Sequence, residues 1–204
     1  MATSLVQLIQ CCLLAFFYAL VVLATTSSAI TSVFSARQIS PGCTPDFAGH
    51  PVSIIYGGSN GVEELGTTSD TSGANIVTQV MSARTPQFLV ENAGLTSFLI
   101  RDETDQSLVA YATAIPRADA AIKLNSVDNT GADQRQFWVL SCDTCADPSF
   151  PVPPGGVFGT VCQIANSALG LCIQRTGVLG EPPVLAPCFD GEPNQKFNFL
   201  REFL

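Results

Sequence analysis

Short apolar runs separated by clusters of Gly, Asn, Asp, Ser and Pro fill the chain after residue 45. The clearest runs lie near the C-terminal end, at 161–164, 170–174, 184–188 and 194–197. No apolar stripe recurs every 3.6 residues here, and runs bounded by turn residues are typical of strands. The pattern therefore predicts an all-β protein with almost no helix.

Three glutamines divide this pattern, and each is followed two positions later by a large apolar residue. The pairs are Gln87 with Leu89, Gln136 with Trp138, and Gln195 with Phe197. Consecutive glutamines lie about 50 to 60 residues apart, a period typical of one repeated supersecondary unit. We place the copies at about 47–94, 95–145 and 157–200, each with four apolar runs.

Repeated units that cannot bury an apolar face alone are stable only when they pack against one another. Three four-strand copies achieve this around a threefold axis, where six strands close a short barrel and three hairpins cap it. The sequence thus predicts a β-trefoil, formed as one domain over 43–204. The Pro- and Gly-rich segment 151–156 is interpreted as a surface crossover between the second and third copies.

The third copy resembles a repeat of the ricin B-chain lectin family, in which a Gln-x-Trp signature closes each copy. The matching motifs are Gly-x-Cys-Ile at 170–173, Val-Leu-Ala-Pro-Cys at 184–188 and Asn-Gln-x-Phe at 194–197. In the first copy the match survives mainly as spacing. Residues 43–55 and 141–145 resemble a secreted fungal branch of that family. The resemblance implies a β-trefoil lectin that binds an oligosaccharide or a polysaccharide.

In that family, sugar binding needs an Asp two residues after the first repeat cysteine, an aromatic residue two before the second, and an Asn beside the signature Gln. A carboxylate accepts hydrogen bonds from hydroxyl groups, and a ring stacks on the apolar face of a sugar. Carried over, the Asp positions hold Gln174, Tyr111 and Leu65, and the aromatic positions hold Ala186, Leu124 and Thr78. No copy keeps the complete galactose site.

The third copy keeps the Asn beside the Gln, and its polar residues fall where the family's pocket would lie. The candidate carbohydrate contacts are Gln174, Asp190, Asn194 and Gln195. Asp190 and its neighbours could equally be turn residues, because Asp-Gly is a common turn pair. The signature residues Gln136, Trp138, Gln195 and Phe197 are expected to be structural first, since a buried Gln can satisfy unpaired backbone groups.

An unbroken apolar run at 13–23, followed by small residues up to Ala29, predicts a signal peptide over 1–29 and secretion. No Lys or Arg precedes the run. The stretch 5–24 also approaches the roughly 20 residues that span a bilayer, so a retained anchor is the alternative. After cleavage, no stable membrane partner is expected.

Six cysteines remain after the leader: Cys43, Cys142, Cys145, Cys162, Cys172 and Cys188. An even number in a secreted chain favours disulfides, although six allow 15 pairings. The resemblance implies a Cys172–Cys188 bridge, with Cys43 joined to Cys142 or Cys145 and Cys162 to the other. A zinc or redox role for the Cys142-x-x-Cys145 pair is disfavoured, because the chain has one His and no βαβ pattern.

The net charge is −8, and the nine basic residues occur singly. Nucleic acid and anionic membranes are therefore disfavoured partners. No catalytic triad spacing, phosphate loop or metal-ligand cluster accompanies the lone His50, so we expect neither an enzyme nor a cofactor or metal. Asp102, Glu103 and Asp105 could contact sugar or calcium, but a solvated hairpin tip is the simpler interpretation.

Two other functions stay open beside carbohydrate binding. A β-trefoil can present a long loop from a rigid core, as a protease inhibitor would, and an ordered loop at 147–158 would favour that interpretation. An extracellular effector without a small ligand is the other. A shallow pocket at Gln174, Asp190 and Asn194 would favour sugar binding instead.

Overall fold

The computed structural model describes residues 42–59, 62–81, 88–94, 96–113 and 122–202, which belong to one compact unit. The predicted signal peptide, the alternative anchor at 5–24 and Gln87 lie outside these ranges. The described residues form strands, turns and short 3₁₀ turns, with no α-helix among them. No helix in this part of the chain is long and apolar enough to cross a membrane.

Among the described residues, thirteen strands form the sheet: four from each copy and one short extra strand at the end of the second copy. They are β1 (Pro51–Tyr56), β2 (Glu63–Thr67), β3 (Ile76–Val80), β4 (Phe88–Asn92), β5 (Phe98–Asp102), β6 (Leu108–Ala112), β7 (Ile122–Ser126), β8 (Trp138–Ser141), β9 (Thr144–Cys145), β10 (Val157–Asn166), β11 (Leu171–Gln174), β12 (Val184–Pro187) and β13 (Phe197–Arg201). The 3₁₀ turns are Gly57–Ser59, Gln134–Gln136 and Pro193–Gln195.

Six strands close a ring of antiparallel pairs, in the order β1, β4, β5, β8, β10 and β13, with β13 paired back to β1. The hairpins β2–β3, β6–β7 and β11–β12 extend from this barrel, one in each copy. The arrangement is a β-trefoil, and the fold predicted from the sequence is confirmed. Closure leaves the barrel without an open edge, so its ladder groups are satisfied within the ring.

Aromatic side chains fill the interior. Trp138 is fully buried and donates its indole N–H to the carbonyl oxygen of Ala110 at 3.0 Å, as a core Trp requires. Phe47 precedes β1. The centre of its ring lies 5.1 Å from the ring centre of Phe199 and 5.4 Å from that of Phe158. A segment outside the three copies therefore contributes to the shared core.

Equivalent pairs mark the end of the first strand in each copy. Tyr56 pairs with Phe197, Asp102 with Phe88, and Asn166 with Trp138. The counterpart of the two signature aromatics in the first copy is therefore Phe88, and our choice of Leu89 was wrong by one residue. Leu89 faces the other side of its strand because side chains alternate between the faces.

The described part of the chain contains three disulfides, Cys43–Cys145, Cys142–Cys162 and Cys172–Cys188. The third lies within the β11–β12 hairpin. The first ties the segment before β1 to the end of the second copy, where Cys43 and Cys142 also exchange two backbone hydrogen bonds of 2.9 Å. Closing a loop of about 100 residues restricts the unfolded chain, which stabilises the fold by about 4 to 5 kcal/mol in the chain-entropy account.

Both described signature glutamines are buried and hold the loop that follows the third strand of their copy. Gln136 makes a two-point contact with one residue: its Oε1 accepts from the Asp128 N–H at 2.9 Å, and its Nε2 donates to the Asp128 carbonyl at 2.8 Å. Gln195 contacts the equivalent loop, where Oε1 accepts from the Phe189 N–H at 2.9 Å. These amides satisfy backbone groups that the departing chain leaves unpaired.

Asp102 is fully buried, so the interpretation of this residue as part of a solvated hairpin tip was wrong. Its Oδ1 accepts the backbone N–H groups of Thr104 and Asp105, each at 2.9 Å. Its Oδ2 is buried without a hydrogen-bond partner among the described residues. Burial is the main cause that raises the pKa of Asp102. Nearby acidic side chains raise it further, whereas the two backbone N–H groups lower it.

Asn166 occupies the equivalent position in the third copy, and both polar atoms of its side chain have hydrogen-bond partners. Its Oδ1 accepts from the N–H groups of Ala168 and Leu169, both at 3.2 Å, so it holds the same turn as Asp102 does. Its Nδ2 donates to the Arg135 carbonyl at 2.8 Å. An amide therefore suits this position better than an ionised carboxylate, which has no proton to donate.

Asp102→Asn is expected to raise the free energy of unfolding at pH 7 by about 1 to 3 kcal/mol, because a neutral amide avoids the cost of burying a carboxylate whose Oδ2 has no partner among the described residues. The folded pKa of Asp102 lies above its unfolded value. The loss of stability that ionised Asp102 causes in the native protein is therefore absent below about pH 4, and it grows as the pH rises through the folded pKa. Urea unfolding of both proteins between acidic and neutral pH measures this difference.

Asp105→Asn serves as the matched control, since hydrogen bonds from Ser107 lower the pKa of this exposed carboxyl. Its contribution to stability is present above the unfolded pKa, so the substitution should weaken the protein slightly at pH 7 and have no effect in acid. Equal or lower stability of Asp102→Asn at pH 7 would contradict the account of Asp102.

Gln136→Ala is expected to lower the free energy of unfolding by about 1 to 3 kcal/mol, because both backbone groups of Asp128 lose their partner. Gln106→Ala removes the same side chain from an exposed turn and should change stability by less than about 0.5 kcal/mol. Chemical denaturation of the oxidised proteins compares the two. A larger loss in Gln106→Ala would show that the buried amide is not structural.

Candidate carbohydrate-binding site

The outer surface of the third copy brings together the end of β11 and the 3₁₀ turn Pro193–Gln195. The backbone N–H of Arg175 donates to the Asn194 carbonyl at 2.9 Å, which joins the two elements beside Gln174. Glu192 caps the 3₁₀ turn: its Oε1 accepts from both the backbone N–H and the Nδ2 of Asn194, at 3.1 and 2.9 Å. Asn194 is therefore held in one orientation at the edge of the surface.

Gln195 lies beneath this surface and is fully buried, so it can position ligand contacts but cannot be one. Its Nε2 donates to Oε1 of Gln174 at 2.9 Å and to the Pro187 carbonyl at 2.8 Å. Gln174 thus has its oxygen fixed by protein. The Gln174 amide nitrogen has no hydrogen-bond partner among the described residues and is the end that a ligand could use.

Asp190 lies in the exposed turn that follows β12, next to Phe189. Phe189 is 45% exposed, and its backbone is fixed from below. Its N–H donates to Oε1 of Gln195 at 2.9 Å, and its carbonyl accepts from Nε2 of Gln163 at 3.0 Å. An exposed aromatic ring and a carboxylate are therefore adjacent in sequence on a loop that buried amides support.

The sequence-based transfer missed Phe189, because the family pattern places the aromatic residue at Ala186. The exposed ring comes three positions later, directly after Cys188. An aromatic residue followed by Asp-Gly in a predicted turn could have indicated it, since turns lie at the surface. The strand pattern carries no such information about a loop.

The second copy contains an equivalent cluster. The pairs Ala165–Cys172 and Arg101–Val109 align β11 with β6, which makes Tyr111 the counterpart of Gln174. The Tyr111 hydroxyl donates to Oδ2 of Asp133 at 2.9 Å, and the Arg135 guanidinium lies 4.7 Å from the centre of the Tyr111 ring. Arg135 therefore covers one face of that ring.

Asp133 is the charged centre of this second cluster. Arg135 donates to both of its oxygens, from Nε at 2.8 Å and from Nη2 at 2.7 Å, and these bonds lower the pKa of Asp133 to about 2. Burial, together with Asp133, raises the pKa of Tyr111. An open cavity of about 500 Å³ lies beside the pair and reaches Asp128 and Ala168. The cluster keeps its charges across the physiological pH range.

Strand register corrects the transfer for the first and second copies. Leu65, Leu124 and Thr78 were placed at sugar-facing positions, but all three are buried against the core. The outward counterparts of Gln174 and Ala186 in the first copy are Gly66 and Gln79. The Gln79 side chain lies over Gly66, so the described residues of this copy leave no open position equivalent to that of Gln174. A slip of one residue moves every side chain to the opposite face.

One ionic contact outside these surfaces joins two copies. Arg175 pairs with Glu63 and lies 5.7 Å from the centre of the Tyr56 ring, which ties the third copy to the first. Within the described ranges, no three His, Cys, Asp or Glu side chains converge in a way that could hold a metal ion.

No family model and no curated protein matches the sequence. Solved structures match the fold. A designed threefold-symmetric protein, ThreeFoil, aligns with a TM-score of 0.56 at 15% identity over 74% of this chain and 97% of its own. The Polyporus squamosus lectin, in complex with Neu5Aca2-6Galb1-4GlcNAc, aligns at 0.51 and 16% identity, over 76% of this chain and 50% of the lectin.

The hemolytic lectin CEL-III aligns with a TM-score of 0.53 at 16% identity, over 76% of this chain and 33% of the lectin. This chain therefore spans half or less of the two lectins, whereas it spans nearly all of the designed protein. These neighbours are β-trefoil proteins, and at such low identities the likeness establishes the β-trefoil fold of this chain and nothing finer.

Proposed function

We propose that this protein is a secreted carbohydrate-binding module whose main site is the third-copy surface of Gln174, Phe189, Asp190 and Asn194. The observation that carries the proposal is the half-exposed Phe189 ring beside Asp190 on a loop supported by buried amides. Such a surface does not have to be ordered when ligand binds, which reduces the cost of binding.

Each group has a role that its chemistry supports. The Phe189 ring would stack on the apolar face of a pyranose, and Asp190 would accept hydrogen bonds from its hydroxyl groups. The Gln174 amide nitrogen and the Asn194 side-chain oxygen, which have no hydrogen-bond partner among the described residues, would fix the orientation of the sugar. The site lies on an open surface and not in a deep cleft, so an oligosaccharide that covers more of it should bind better than a monosaccharide.

The second copy would supply a weaker subsite. Asp133 presents an ionised carboxylate, but Arg135 and Tyr111 already use both of its oxygens. Arg135 also occupies one face of the Tyr111 ring. A sugar would therefore meet this cluster mainly through the remaining N–H groups of Arg135, which lines the adjacent cavity.

Secretion and the domain limits belong to the same proposal: a cleaved leader at 1–29 and a β-trefoil domain over 43–204. Three disulfides support an extracellular location, because such bonds persist in oxidising compartments. Lectin neighbours support a binding module over an enzyme. No cofactor enters the proposal.

Calorimetric titration of the oxidised protein with galactose, lactose and a polysaccharide series tests the binding site. Galactose should bind no tighter than about millimolar, because one sugar unit makes too few oriented contacts. An oligosaccharide that binds more tightly should lose about tenfold or more in affinity with Phe189→Ala, Asp190→Ala or Asn194→Ala. Phe150→Ala removes an exposed ring elsewhere and should leave the affinity unchanged.

A micromolar galactose affinity that survives Asp190→Ala and Asn194→Ala would place the site elsewhere and overturn the residue assignment. Binding that Phe150→Ala abolishes and Phe189→Ala does not would have the same consequence. Circular dichroism and thermal unfolding of each variant separate a lost contact from a lost fold.

A second candidate function, docking to a protein, is favoured by the loop at 147–156. Phe150 at its tip is 71% exposed. Asp147 holds the turn before it, where Oδ1 accepts from the Ser149 N–H at 2.9 Å and the carbonyl accepts from the Phe150 N–H at 3.1 Å. At the far end, Gly155 donates to the Arg201 carbonyl at 2.8 Å. Four prolines further restrict the loop.

Protease inhibition assays distinguish this candidate. If the loop enters a protease cleft, the oxidised protein should inhibit an enzyme from a panel of serine and cysteine proteases, and Phe150→Ala should weaken inhibition about tenfold or more. Phe189→Ala, a matched change of an exposed Phe, should leave inhibition unaltered. Inhibition that Phe150→Ala preserves would exclude this loop as the contact.

A further inference from the structure

A second concave surface lies away from the hairpins, between the segment 44–49 and strands β4 and β5. We call this segment the strap and the concavity the strap groove. Its volume is about 650 Å³, within the size range of ligand sites. The strap occurs once in the chain and has no counterpart in the other copies. The groove is therefore outside the repeated pattern of hairpin surfaces.

The strap is held rigidly at both ends. At one end Cys43 is joined to Cys145. At the other, the His50 N–H donates to the Phe47 carbonyl at 2.9 Å, and the Phe47 ring is buried in the barrel. Between them, Oδ1 of Asp46 accepts from the Ala48 N–H at 3.0 Å, which closes a tight turn. The wall that the strap forms is thus preorganised for a ligand.

The opposite wall combines an apolar base with fixed polar groups. Leu89 and Phe98 lie at its base. Arg101 donates from Nε to Oε2 of Glu91 at 2.6 Å and from Nη1 to the Gln106 carbonyl at 2.7 Å. The Nη2 group of Arg101 has no hydrogen-bond partner among the described residues. Donors and acceptors therefore alternate around an apolar patch.

This chemistry selects among ligand classes. Leu89 pairs with Pro51 on one side and with Arg101 on the other, so β4 offers no open edge there to an added peptide strand. Two carboxylates, Asp46 and Glu91, line the groove together with one guanidinium, that of Arg101, which disfavours a polyanion. Carboxylates, a guanidinium and amides above an apolar base suit a neutral molecule rich in hydroxyl groups.

We propose that the strap groove is a second saccharide site, which takes a short neutral oligosaccharide. Its ligand class rests on the proposed function, but its residues are independent of the third-copy surface. Asp46 and Glu91 accept hydrogen bonds from sugar hydroxyls, and Arg101 and Gln106 donate to sugar oxygens. With two sites built from different residues, one molecule could bridge two glycan chains.

Amide and side-chain NMR spectra of ¹⁵N-labelled oxidised protein, titrated with lactose, cellobiose and diacetylchitobiose, test this proposal. At least one probe should shift the Arg101 Nε–H, the Gln106 side-chain amide and the Ala48 N–H. Gln106→Trp fills the groove and keeps the backbone carbonyl that Arg101 uses. It should raise about tenfold the ligand concentration needed for half of the Arg101 and Ala48 shifts. Thr104→Trp, in the same turn but outside the groove, should leave them unchanged.

The outcomes separate the two proposals. Shifts that remain near Ala48 and Arg101 in Phe189→Ala support the strap groove as an independent site. Shifts confined to the surroundings of Phe189 and Asn194 overturn the groove and leave the proposed function intact. Shifts confined to the groove support it and overturn the third-copy assignment, whereas a lack of shifts with every probe overturns both.

Discussion

The pairing of the first barrel strand with the last is the contact on which the rest of the molecule depends. Five residue pairs, from Val52 with Arg201 to Tyr56 with Phe197, join β1 to β13 and close the ring. No copy can bury its apolar face alone, so the hairpins and the core acquire their positions only when this long-range pair forms. The strap reinforces it, because Phe47 packs in the core formed by both ends of the chain.

The buried amides connect that architecture to function. Gln195 is fully buried, yet it forms hydrogen bonds with Phe189, Pro187 and Gln174, which together shape the third-copy surface. Gln136 does the same for the loop at Asp128. A change at either glutamine would alter stability and surface geometry together, whereas a change at Asp190 or Asn194 would affect mainly what the surface binds.

The three copies share a scaffold and differ in what they place on it. At the end of the first strand, the third copy has an amide whose nitrogen donates to a backbone carbonyl. The second copy has a carboxylate there, and one of its oxygens has no partner among the described residues. At the position of Gln174, the second copy has Tyr111 and the first has Gly66. Symmetry thus fixes the backbone, while single side chains decide which copy presents a usable surface, and the strap adds a groove that symmetry does not generate.

The sequence by itself determined the fold, because alternating apolar runs, turn residues and the spacing of Gln136 and Gln195 admit few ways to bury three small units. It also indicated that Trp138 belongs to the core. The sequence did not determine the strand register. Leu89, Leu65 and Leu124 were each placed on the wrong face of their strand, because a shift of one residue leaves the composition of a strand unchanged. The exposure of Phe189 and the strap groove were decided only by tertiary structure, because both arise where segments distant in the chain meet.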